Sequence, residues 1–164
     1  MKSLRVGLIL ILLVVAIQSP AVLGEDGEST LKTRYGLGVH WLVYGQRYSY
    51  FGLAGRVELA VGRGATLFEL SLVHKPGDDD LIILVDGAVI FHFDSNGGKV
   101  YLGVGLGMAR WEDTEGWDRG VWYQNYTKFI AGQEFSLPQL RTYLQTSITF
   151  NSWFNPIVSF GILF

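Results

Sequence analysis

Cysteine is absent from the 164 residues, which removes disulfide scaffolds, thiolate zinc sites and cysteine nucleophiles together. Charge is scarce as well. Asp, Glu, Lys and Arg make up 17% of the chain against 49% hydrophobic residues, and the formal net charge is −2. So slight an imbalance, and of acidic sign, offers no electrostatic footprint for nucleic acid. Proline is limited to 4 residues, whereas glycine reaches 21 and aromatics 14%. That mixture fits neither a collagen-like, a disordered nor a coiled-coil chain and points toward an all-β fold. A bilayer-spanning helix is also missing: the apolar run at residues 7–17, GLILILLVVAI, is 11 residues long, short of the about 20 needed to cross.

That run has a different meaning. Lys2 and Arg5 form a basic start before it, and Val22, Leu23 and Gly24 lead to Glu25. Residues 1–24 therefore read as a cleaved signal peptide, with cleavage after Ala21 as the second choice. No stop-transfer flank follows that would make the run a retained anchor. Without cysteine, no lipid can be attached to an N-terminal cysteine. Removing Lys2 and Arg5 leaves 11 basic against 15 acidic residues, a formal charge of −4 over residues 25–164. Residues 25–33 read as a short periplasmic segment and 34–164 as one barrel domain.

From Arg34 the chain breaks into stretches of roughly ten residues with period-two alternation, separated by Gly, Asn, Asp and Pro clusters. Such a pattern belongs to strands. Eight are expected. Residues 35–43 put Tyr35, Leu37, Val39, Trp41 and Val43 on one face and Gly36, Gly38 and His40 on the other. Residues 100–109 set Val100, Leu102, Val104, Leu106 and Met108 against Gly103, Gly105, Gly107 and Ala109. The fourth strand is apolar on one face and half apolar on the other, through Ile82, Leu84 and Ile90. The sixth, at about 123–131, is the least regular.

Two architectures share this pattern, a soluble barrel with its apolar set inside and a membrane barrel with that set outside. Three features favour the second. The polar faces of strands one, five and eight carry His40 but no Asp, Glu, Lys or Arg between their small residues. Aromatics crowd the expected strand ends: Trp41, Tyr44, Trp111, Trp122 and Trp153 mark an interfacial girdle. Connections alternate between short and long, which assigns the short turns and both termini to the periplasm.

The final stretch, Val158, Phe160, Gly161, Ile162 and Phe164 in VSFGILF, resembles the C-terminal recognition strand of bacterial outer-membrane barrels. With the signal peptide and eight strands, the chain is similar to the small barrels of the OmpA transmembrane domain, OmpX and opacity-protein type. The resemblance implies an eight-stranded antiparallel up-and-down transmembrane β-barrel. It also implies delivery by the barrel assembly machinery and contact with outer-membrane lipid and lipopolysaccharide. Unlike full-length OmpA, no peptidoglycan-binding domain follows Phe164, and the loops are shorter than those of opacity-type adhesins.

An eight-stranded barrel is wide enough only for side chains to fill it, which excludes a large-solute porin and leaves a small-solute or ion channel open. Alternation assigns Arg56, Glu58, Glu69, Asp86, Lys128 and Arg141 to the lumen, three of each sign. Buried charges must be paired, so these six read as a structural ion-pair network. With a hairpin centred on residues 62–65, Glu58 is expected opposite Glu69 with Arg56 one diagonal away. The glycine row is expected to leave room for Tyr143 or Arg141; without a following helix it does not read as a nucleotide cradle. An enzymatic alternative comes from barrel lipid A deacylases, whose His-x-Ser-Asn pattern is missed by one residue in His92, Asp94, Ser95 and Asn96. His92 is expected inside the barrel at the periplasmic end, and His74 on the outer face at the external rim. Asp78, Asp79 and Asp80, with Glu112, Asp113, Glu115 and Asp118, read as solvated acidic loops. The expectation is a monomeric integral outer-membrane protein of a diderm bacterium, with a structural or surface-interaction role and neither metal, cofactor nor catalytic residue.

Overall fold

A computed structural model describes residues 31–44, 48–74, 81–96, 98–113, 120–152 and 154–164. The expected signal peptide, residues 1–24, and most of the segment after it lie outside this set. The described residues form eight strands: β1 (Lys32–Tyr44), β2 (Tyr48–Val61), β3 (Gly64–His74), β4 (Leu81–Ser95), β5 (Gly98–Asp113), β6 (Gly120–Leu137), β7 (Leu140–Phe150) and β8 (Phe154–Leu163). Each pairs antiparallel with its sequence neighbours, and β1 pairs with β8 to close the barrel. Closure reaches the last residue, since the Phe164 N–H donates to the Tyr35 carbonyl at 2.8 Å. Among the described residues no strand edge is left to seek another chain.

At one end of the barrel two residues separate successive strands, in turns at 62–63 and 138–139 and between Ser95 and Gly98. At the other end the strands stop further apart in sequence, at Tyr44 and Tyr48, His74 and Leu81, Asp113 and Gly120, and Phe150 and Phe154. At the first short turn Gly62 has φ 60°, as the first central position of a type II′ hairpin requires and only glycine adopts without cost. Val61 then pairs with Gly64, which sets Arg56 opposite Glu69 and Glu58 opposite Leu67. The hairpin expected from sequence was thus centred one residue too far along, and its Glu58–Glu69 pairing is replaced by an attractive one. The sixth strand also differs, because β6 runs on to Leu137 and is the longest of the eight. Gly132, Gln133 and Glu134 resemble a turn in composition, but β5 pairs with them through Lys99 and Val100, and that ladder overrides local propensity.

The alternation is oriented with its apolar side outward. Leu53 is 71% exposed and Val104 51%, whereas Arg56 is 2% and Glu58 0%. Leu37, Val39, Leu70, Leu102, Phe129, Ile148 and Phe160 continue the same outer surface around the barrel. Roughly thirty large apolar side chains, each worth about 1 kcal/mol when half transferred out of water, favour a hydrocarbon surrounding by tens of kcal/mol. The polar set packs inside.

Candidate functional site

The barrel interior holds the chemistry, arranged in three levels along its axis. At the long-loop end Leu42, Tyr50, Val73, Ile82, Leu84, Ala109, Tyr126 and Ile157 form a buried apolar cluster with Trp111 packed against it. From β4 it takes Ile82 and Leu84, whereas the inward Ala88 and Ile90 pack in a second cluster with Ala65, Leu67, Tyr101 and Ile130. The inward face of β4 turns apolar at these positions because its side chains are packed there like a core.

Below it lies a buried charge group. Lys128 Nζ donates to Glu69 Oε2 at 3.0 Å and stands 3.4 Å from Asp86 Oδ2. Glu69 and Asp86 are register partners on β3 and β4, a like-charge pairing that needs a shared cation to be tolerated. Tyr126 donates to Asp86 at 2.6 Å, and Gln145 Nε2 to Glu69 Oε2 at 3.1 Å. Lys128 and Tyr126 come from β6 and must reach across β5. Gly105 and Gly107 are their register partners there, and a Cβ on Gly107 would collide with Asp86 and the Tyr126 ring. The glycine row on β5 is what lets this network form. It hosts Tyr126, not Tyr143 or Arg141: Tyr143 lies instead against Gly38 and Gly161 of β1 and β8. Beside the group, Ser71 Oγ and His40 Nδ1 are 2.9 Å apart and both side chains are buried.

Arg56 links the middle level to the third. Its guanidinium lies 4.3 Å from the centre of the Tyr143 ring, and Nη2 donates to Glu58 Oε2 at 3.0 Å. Tyr101 donates to Gln145 at 3.0 Å. At the short-turn end Arg34 bonds Glu58 and, at 2.7 Å, Glu134 Oε2, while His92 Nε2 is 3.1 Å from Glu134 Oε1.

Five of the six expected lumen charges, Arg56, Glu58, Glu69, Asp86 and Lys128, lie buried in these contacts. Arg141 does not. It is exposed at the start of β7, opposite Ser136 and Leu163, because its inward-facing position falls at the rim where the wall ends. Arg34 and Glu134 were missed by sequence reasoning, although each continues the inward set of its strand, Arg34 with Gly36 and His40, Glu134 with Lys128 and Ile130. His92 lies inside, and nothing in the sequence signals its partners Arg34 and Glu134.

The aromatic residues divide. Trp41 stacks on its register partner Phe51, with ring centres 6.3 Å apart, on the exposed outer face. Trp111 faces inward onto the apolar cluster, and Trp122, its register partner with ring centres 6.4 Å away, shares that face. Both positions continue the inward alternation of Ala109 and Tyr126, but only Trp111 packs against the cluster, and Trp122 is 45% exposed at the end of the strand. The side chain of Tyr44 and the whole of Trp153 lie outside the described residues, as do Asp78, Asp79, Asp80, Glu115, Asp118 and the side chains of Glu112 and Asp113. In the last strand Phe160 and Phe164 are exposed on the outer face, Val158 and Ile162 half-buried beside them, and Gly161 turned inward. His74 is exposed at the end of β3.

Two solved structures share this architecture. Neisserial surface protein A matches with a TM-score of 0.63 at 13% identity, over 84% of this chain and 98% of its own. The N-terminal β-barrel domain of Pseudomonas aeruginosa OprF matches with a TM-score of 0.58, also at 13% identity, over 82% of this chain and 100% of its own. The fold is that of the eight-stranded outer-membrane barrels. At this identity the likeness is one of fold. No family model and no curated protein matches the sequence.

Proposed function

We propose that the protein is an integral outer-membrane barrel of a diderm bacterium with a closed lumen, serving a structural or surface-interaction role in the envelope. The observation that carries this reading is the inverted burial, with Leu53, Val104 and Phe160 outside and Arg56, Glu58 and Lys128 within. A closed sheet satisfies every backbone group internally, as hydrocarbon demands. In this reading residues 1–24 direct export and are removed, and the terminal strand from Val158 to Phe164 is the segment engaged by the assembly machinery. The outer wall meets lipid and lipopolysaccharide, and the barrel works as a monomer.

A channel is disfavoured by the buried apolar cluster that Leu42, Leu84 and Ile157 share at the long-loop end. A lipid A hydrolase is disfavoured by the placement of the histidines. His92 is held by Glu134 and Arg34 inside the wall, with Asp94 and Ser95 exposed at the strand end, and the His40–Ser71 pair is sealed from any acyl chain. The test is reconstitution. The purified protein should migrate differently on gels before and after boiling in detergent and insert into planar bilayers without stepwise conductance. Recovery in the aqueous phase without detergent, or discrete conductance steps, would overturn it.

A further inference from the structure

At the short-turn end, three strands aim metal-ligating atoms at one point. Glu58 of β2, His92 of β4 and Glu134 of β6 are buried, and one donor atom from each lies within 4.8 Å of the others. His92 Nε2 is 3.1 Å from Glu134 Oε1 and 3.6 Å from Glu58 Oε1. A tetrahedral zinc with bonds of about 2.0–2.1 Å places its ligands about 3.3 Å apart, which these two spacings bracket. The second Glu58 oxygen accepts from Arg56, the outer support that a ligating carboxylate ordinarily has.

A cation already stands where the three converge, the Arg34 guanidinium, whose Nη2 is 3.2 Å from His92 Nε2. It fits imperfectly. His92 Nε2 can accept from Arg34 or donate to Glu134, but one nitrogen cannot do both. Arg34 Nε is buried without a hydrogen-bond partner among the described residues. Among the described residues the lumen is also short of positive charge: Arg34, Arg56 and Lys128 face the four carboxylates Glu58, Glu69, Asp86 and Glu134. A divalent ion in place of the guanidinium would balance them with the imidazoles neutral. At 16% side-chain exposure, Arg34 is the most accessible member and the one able to swing out.

We propose that Glu58, His92 and Glu134 form a divalent-cation site of the zinc class, for which Arg34 is the built-in competitor. One imidazole and two carboxylates select zinc over calcium or magnesium, which prefer oxygen alone. The inference is independent of the envelope role. Its test is calorimetric titration of Zn²⁺ into the full, tag-free barrel in detergent, with folding checked by gel mobility. Arg34→Gln should bind one zinc per barrel at least tenfold more tightly than the wild type. Adding His92→Ala to that variant should return affinity to the wild-type level or below, and calcium and magnesium should bind at least tenfold more weakly than zinc. Unchanged affinity in Arg34→Gln, or tight binding that survives His92→Ala, would overturn the proposal. Should Arg34→Gln not fold, wild type and His92→Ala decide it: saturable one-to-one zinc binding lost in the variant supports the site, and its absence or persistence rejects it.

Discussion

Gly107 of β5 and Tyr126 of β6 are register partners, and the tyrosine ring occupies the space that a side chain on the glycine would need. The missing side chain at Gly107 lets Tyr126 reach Asp86 two strands away, and Lys128 crosses β5 opposite Gly105 to reach Glu69 three strands away. Gly107→Val should therefore push Asp86 and Tyr126 apart and cost about 1–3 kcal/mol, as overpacking does. Gly55, with nothing within 4 Å of an added Cβ, supplies the control. Gly55→Ala should change stability by no more than about 0.5 kcal/mol. Urea unfolding of the two variants in lipid vesicles, followed by tryptophan fluorescence, measures both.

Lys128 is shared by two carboxylates, 3.0 Å from Glu69 and 3.4 Å from Asp86. Lys128→Met should leave Glu69 and Asp86 facing each other in the buried interior, at a cost of about 3–5 kcal/mol. Removing the charges together, as Lys128→Met with Glu69→Gln and Asp86→Asn, should recover most of that loss. Unfolding midpoints of the single and triple variants check this, and a triple variant no more stable than the single one would contradict the pairing.

The outer wall is tested by the reverse substitution. Val104 lies near the middle of β5 and is 51% exposed. On a lipid-facing wall Val104→Arg should cost about 2–4 kcal/mol, whereas on a water-facing one it would be close to neutral. Refolding yield and unfolding midpoint in vesicles distinguish the two.

Arg141 should behave unlike the other five expected lumen charges. It is exposed at the strand end, so Arg141→Ala should shift the unfolding free energy by no more than about 0.5 kcal/mol. Arg56→Ala, which leaves Glu58 buried without that partner, should cost several-fold more in the same assay.

Much of the architecture was legible because alternation in a barrel wall is unforgiving: a shift of one residue exchanges the two environments. That is why Val104 against Gly105, or Phe160 against Gly161, already announced the face each would occupy. Which face points outward followed from how little charge the smaller-residue face carries. Register was less legible. The Gly62 turn could be centred one residue either way by composition, and only the hairpin geometry pairs Arg56 with Glu69. Strand ends were least legible of all. Arg141, Trp111 and Trp122 obey the inward alternation, but whether such a position lies inside the wall, over the mouth or at the rim depends on strand stagger, which no local pattern encodes. Arg34 and Glu134 were hidden for the same reason, at opposite ends of strands that proved longer than their regular cores.

The absence of cysteine makes the central claim directly measurable. Single cysteines at Val104, Phe160 and Ser71 can be spin-labelled in vesicles and probed with lipid-soluble oxygen and a water-soluble nickel complex. Labels at 104 and 160 should be relaxed by oxygen and shielded from nickel, and a label at 71 should be shielded from both. Strong nickel relaxation at 71, or labels at 104 and 160 shielded from oxygen, would contradict an interior of buried charge wrapped in an apolar wall.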